Sequence, residues 1–155
     1  MLLDYGVTVD TGCDALHFAA SYGTICILQQ LVERGAALDE FGNFMMYCGT
    51  TPLHGAVYAY QVEAARLSLE FVPDVDAYDA DEVTTLRIEV DFILDSYSVD
   101  LCMAEVLIAA GADMVKCGAV QEAAKWCHIG LLEFTLRAGA DFDAKVNDCS
   151  RCKMI

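Results

Sequence analysis

Basic side chains are scarce in this chain of 155 residues: nine lysines and arginines stand against 24 aspartates and glutamates, a formal charge of -15. Such a charge repels nucleic-acid phosphates and anionic membrane surfaces, so neither is expected as a partner, and basic or apolar protein surfaces fit better. Proline is also rare, with two residues, while 56% of the chain is apolar. That composition excludes a disordered tail or a proline-rich linker and supplies enough apolar material for a core. No apolar run reaches the ~18 residues of a membrane-spanning helix. The nearest, Leu101 to Val115, is broken by Glu105 and Asp113. The start, Met1-Leu2-Leu3-Asp4, has an acid where a leader peptide has bases. Eight cysteines without an export signal read as reduced thiols, which places the chain in the cytoplasm or nucleus.

Motifs that carry chemistry are missing too. The sequence has no glycine-rich dinucleotide fingerprint, no phosphate loop, no His-Glu-x-x-His and no Gly-x-Ser-x-Gly. Asp74, Asp76, Asp79 and Asp81 lack the later ligands and closing glutamate of a calcium loop. Cys127 and His128 adjoin, with Cys117 nearby, but a cysteine-histidine enzyme needs an orienting group and an oxyanion site as well. Cys149 and Cys152 form the one close thiol pair, and zinc wants four ligands. The sequence assigns no catalytic residue, no cofactor and no metal, and the chain is expected not to be an enzyme.

What is present is an internal echo. Leu16, Ala19 and Ala20 fall three and four apart, as do Ile27, Leu28, Leu31 and Val32, so residues 12 to 39 predict two short helices joined at Gly23 and stopped by Gly35. Thr51-Pro52-Leu53-His54-Gly55-Ala56 repeats the Leu16-His17 start 37 residues later, and Thr84-Thr85-Leu86 follows Leu53 by 33. Leu107-Ile108-Ala109-Ala110-Gly111-Ala112-Asp113 and Leu136-Arg137-Ala138-Gly139-Ala140-Asp141 are two copies of one helix end. Leu2 to Asp10 parallels Leu31 to Asp39, so the chain starts inside a repeat.

These pieces, in this order, resemble the ankyrin repeats, whose unit is ~33 residues of paired helices with a Thr-Pro-Leu-His start. The resemblance rests on Thr51, Pro52, Leu53 and His54, on Leu16, His17, Ala19, Ala20 and Gly23, and on the turns at Gly35, Gly111 and Gly139. It implies an all-α helical-repeat solenoid in which His17 and His54 hydrogen-bond neighbouring backbone. The boundaries read as a half repeat at 1–10, repeats at 11–39, 40–76, 77–113 and 114–143, and a tail at 144–155. Repeat two has Tyr60 in place of the inter-helix glycine and Pro73 near its end, which predicts a distorted or shortened second helix. Repeat three replaces the Leu-His pattern with Leu86-Arg87-Ile88-Glu89 and carries six extra residues, placed as a longer loop near Leu94 to Val99. Repeat four begins early, with Val120-Gln121 where Leu-His belongs.

Charge concentrates between Glu70 and Asp100, where ten acids accompany one base, Arg87. Such a stretch is a solvated loop or an acidic surface that steers a Lys/Arg-rich partner. By the resemblance, framework residues hold the stack and variable turn tips contact a protein partner. The partner-binding candidates are Phe41, Phe44, Met45, Met46 and Tyr47 before repeat two, and Tyr78, Asp79, Asp81 and Glu82 in the acidic stretch. The alternative is a structural segment of a longer array without binding activity of its own.

Overall fold

The structure, a computed structural model, describes residues 13–39, 41–44, 47–71, 74–96 and 100–141, with main chain alone at 13–14, 43–44 and 47–48. The expected half repeat at 1–10 and the tail with Cys149 and Cys152 lie outside these residues. The fold is a mostly helical repeat fold, and the chain divides into two compact units, Met1–Asp74 and Val75–Ile155.

In the first unit the small and branched residues of each helix bury one face. Helices α1 (Cys13–Ser21) and α2 (Ile25–Glu33) place Leu16, Ala19, Ala20, Leu28 and Leu31 in the core. A short antiparallel hairpin follows, β1 (Gly42–Phe44) and β2 (Tyr47–Thr50), with an irregular register between Gly42↔Thr50 and Phe44↔Tyr47. Helices α3 (Pro52–Tyr58) and α4 (Val62–Leu69) complete the unit. Thr51 starts α3 with a reciprocal cap. Its hydroxyl accepts from the His54 amide, its own amide donates to His54 Nδ1, and Pro52 occupies the first turn, where no amide is needed. Helices α1 and α3 approach closely because Gly55 has no side chain: a Cβ there would stand 2.5 Å from Ser21 Oγ.

One turn geometry joins the helices of three pairs. Thr24, Gln61 and His128 each donate their amide to the carbonyl five residues back, on Ala19, Ala56 and Ala123. The residue just before the donor is left-handed each time: Gly23 at φ 64°, Tyr60 at 53° and Cys127 at 53°. The turn is therefore set by helix pairing, and non-glycine residues are held in it against their preference. The terminal turns repeat as well. The amides of Ala36, Ala112 and Ala140 reach back to Leu31, Leu107 and Thr135, after left-handed Gly35, Gly111 and Gly139, which is a Schellman closure of each helix. Helix α4 runs for eight residues, one fewer than α2, and Pro73 lies outside the described residues.

The second unit opens on a turn bridged by Tyr78 and Thr84, then α5 (Thr85–Ser96), α6 (Cys102–Ala109), α7 (Met114–Cys117), α8 (Ala119–Lys125) and α9 (Ile129–Arg137). The extra residues of repeat three do not enter a loop as far as Ser96. They lengthen α5 to 12 residues, the excess polar positions staying on its solvated side. The early start of repeat four is the short helix α7, capped by Asp113, whose Oδ1 accepts from Val115 and Lys116.

Glu89 breaks the framework pattern. It stands 33 residues after Ala56, at the same place in its helix, and is 1% exposed with Oε1 unpartnered. Burial, and secondarily the negative charge of Asp100, push its carboxyl up from 4.5 to about 8. A carboxyl whose pKa rises on folding keeps its proton where the unfolded chain loses it. The penalty is thus absent below pH 4.5, grows as pH rises toward about 8, and is constant above.

Two measurements check this packing. Gly55→Ala is expected to lower unfolding free energy by about 1–3 kcal/mol, seen as an earlier urea midpoint. Glu89→Gln is expected to be more stable than the parent at pH 8, with an advantage that shrinks by at most about 1.4 kcal/mol per pH unit as pH falls toward 4.5. Parallel pH profiles for the two proteins would contradict the assignment.

Candidate partner-binding surface

The first tip is built outward from a buried histidine. His17 lies on the core face of α1 at 1% exposure, and its Nε2–H donates to the carbonyl of Thr50, which is itself fully buried. That bond ties the end of β2 to a helix of the preceding pair. Gly42 at the start of β1 lies against the imidazole, where a Cβ would come within 2.8 Å of Cε1. The hairpin is thus clamped at its base, and Phe41 beside it stands 59% exposed. For Phe44 and Tyr47 the structure gives strand main chain, and Met45 and Met46 lie outside the described residues.

The second tip is built around Asp79. Its Oδ1 accepts the amides of Asp81 and Val83, both at 2.9 Å, while the Asp79 amide donates to the Val83 carbonyl. At 7% exposure Asp79 shapes the turn from inside. Tyr78, Asp81 and Glu82 are exposed around it, Glu82 at a left-handed φ of 59°. The base of the turn is tied to the next repeat by Asp76, whose carboxylate accepts the Asp113 amide at 2.9 Å and meets Lys116 Nζ at 3.4 Å. Asp76 and the neighbouring acids raise the Lys116 pKa, so the ammonium stays charged.

Arg87 performs in the second unit what His17 does in the first. It occupies the position of His54, 33 residues on, and its Nη1 donates to the Cys117 carbonyl at 3.3 Å, just ahead of α8 as Thr50 lies ahead of α3. The rest of its guanidinium holds Asp91 Oδ1 at 2.9 Å and Glu122 Oε1 at 3.6 Å. The departure from the Leu-His pattern therefore replaces the group and keeps the bond.

Cys117 and His128 serve packing and capping. His128 Nδ1 accepts the Leu131 amide and starts α9, leaving neighbouring Cys127 exposed. Burial pushes the Cys117 thiol up to about 12, so it is protonated at neutral pH and a poor nucleophile. Among the described residues no group of three or more His, Cys, Asp and Glu side chains is arranged to hold a metal, and no helix is long and apolar enough to cross a membrane.

Residues 11–40 match the family model described as ankyrin repeat. That segment is similar to an ankyrin repeat. Comparison with curated proteins finds none that matches. The ankyrin match spans α1, α2 and the turn at Gly35, where the buried Leu16, His17, Ala19 and Ala20 lie, and it supports assigning the chain to the ankyrin repeat family. Ankyrin repeats generally bind proteins and are generally not enzymes. Two exposed features of the repeats were absent from the sequence candidates. Phe18 and Tyr22 stack on the outer side of α1 at 6.1 Å between ring centroids, a pairing visible in their four-residue spacing. Trp126, 60% exposed, reads in sequence as one more framework residue.

Removal of the His17 imidazole tests the clamp. In His17→Ala the Thr50 carbonyl loses its imidazole donor inside the core, and stability is expected to fall by about 1–3 kcal/mol. Amide exchange of Gly49 and Thr50 in that variant should accelerate beyond the change in the α2 amides.

Proposed function

We propose that the chain is an intracellular, cytoplasmic or nuclear, protein-binding module that holds a partner with a basic surface at its turn tips. The carrying observation is the second tip. An internal Asp79 scaffold fixes the main chain that carries Tyr78, at 48% exposure, and the carboxylates of Asp81 and Glu82. A loop held in this way gives affinity because less main-chain freedom is lost on binding. At the first tip Phe41 supplies apolar contact area beside the clamped hairpin, and Phe44, Met45, Met46 and Tyr47 are proposed with it from the sequence. Asp79 takes part by shaping the turn. The acidic stretch around the second tip attracts a Lys/Arg-rich surface over long range and makes association weaken with salt.

A random-peptide display library panned on the full chain is expected to yield sequences enriched in lysine and arginine. Their affinity should fall with rising salt, and should fall about 5- to 30-fold in Tyr78→Ala and in the double variant Asp81→Asn, Glu82→Gln. Selected peptides without basic bias, or affinities untouched by both variants, would overturn the reading.

A further inference from the structure

Helices α5 and α8 leave a cleft of about 430 Å³ between them, lined by Arg87, Asp91, Leu94, Asp95, Glu122, Lys125 and Trp126. That volume falls within the range of pockets that hold small ligands or a long side chain with its flanking main chain. It shares no lining residue with the tips, and its charges are unevenly matched. Arg87 is engaged by Asp91, Glu122 and the Cys117 carbonyl. Glu122 in turn accepts the Trp126 indole N–H at 3.1 Å and lies 3.6 Å from Lys125 Nζ. Asp95, exposed at the rim, makes no hydrogen bond or ion pair among the described residues. Three carboxylates thus face two cations, and the excess negative charge belongs to Asp95.

The indole that lines the same cleft is a cation platform. Lys125 Nζ stands over the Trp126 ring, 5.6 Å from its centroid, with both side chains largely in water. The bond to Glu122 orients the ring, and a cation arriving from outside meets its face. Guanidinium suits this combination better than ammonium. It stacks on an indole through its plane and meets a carboxylate with two parallel N–H donors.

We propose that the α5/α8 cleft is an arginine-binding pocket for a partner protein, in which the guanidinium lies on Trp126 and pairs with Asp95, displacing Lys125 from the ring. Lys125 acts as the pocket's own placeholder. It keeps the indole faced by a cation while the pocket is empty and gives way to a group that Asp95 binds more strongly.

Trp126 is the single tryptophan of the chain, so its emission reports this pocket alone. The probe is a peptide of three Gly-Ser-Arg repeats, with a citrulline counterpart of the same shape and no charge. Titration of the full chain is expected to give a saturable change in emission with the arginine peptide and none with the citrulline peptide. Asp95→Asn should weaken binding by about fivefold or more, and Lys125→Ala should tighten it by about twofold or more. Arg66→Ala removes one exposed positive charge from α4 and serves as the control for net charge, with a change under about twofold. Tyr78→Ala should leave this titration unchanged, which separates the cleft from the tip. No saturable response to the arginine peptide, equal response to citrulline, or wild-type affinity in Asp95→Asn would each overturn the proposal. So would tightening in Arg66→Ala equal to that in Lys125→Ala.

Discussion

A side-chain donor on one helix pair that satisfies the last carbonyl before the next pair is the constraint on which this fold depends. A carbonyl left unpaired in the core costs about 1–3 kcal/mol, and strand β2 ahead of α3 and the short helix α7 ahead of α8 each end on such a carbonyl. In the first unit His17 supplies the donor to Thr50, and the surrounding residues follow from that bond. Gly42 stays small to admit the imidazole, Thr51 turns immediately into its capped helix, and Gly55 lets α3 lie close against α1. In the second unit Arg87 supplies it to Cys117. The longer side chain reaches the same kind of carbonyl and has donors to spare, which Asp91 and Glu122 occupy. The cleft between α5 and α8 owes its charge pattern to that exchange.

The parts of this arrangement that were readable in sequence are those that depend on local geometry. Leu16, Ala19 and Ala20 at helical spacing, the glycines at 35, 111 and 139, and Thr51-Pro52 at a helix start each have one conformational use, and the structure puts each to that use. Residues whose role depends on a partner far along the chain were harder. Arg87 looked like the loss of a histidine because the carbonyl it reaches lies 30 residues away. The surplus near Leu94 was read as a loop, since length alone does not distinguish a longer loop from a longer helix, and α5 absorbed it up to Ser96. At the second tip Tyr78, Asp81 and Glu82 are exposed as acidic-loop composition suggests. Asp79 was not distinguishable from them by type, and its hydrogen bonds to Asp81 and Val83 turn it inward.

The same division between framework and tip organises the electrostatics. Asp76 and Asp113 face amides and an ammonium, so their charge is used within the unit. Asp81, Glu82 and Asp95 lie outside that network's core and project their field into solvent. An acidic surface supported by internally neutralised acids keeps its long-range attraction for basic groups without loading the core with uncompensated charge. Glu89 is the exception, a carboxyl in the place of an alanine, and its proton does the neutralising that no neighbouring base provides.

The left-handed residues between paired helices bear on the order in which the chain assembles. In an array of repeats, structure nucleates where a unit is cheapest to form locally and spreads through its interfaces. Gly23 enters its turn without a steric penalty, whereas Tyr60 and Cys127 each carry roughly 1–2 kcal/mol of backbone strain in the same conformation. The α1/α2 pair therefore closes more readily by itself than α3/α4 or α8/α9. In the latter pairs that strain is offset by the packing of the finished helices.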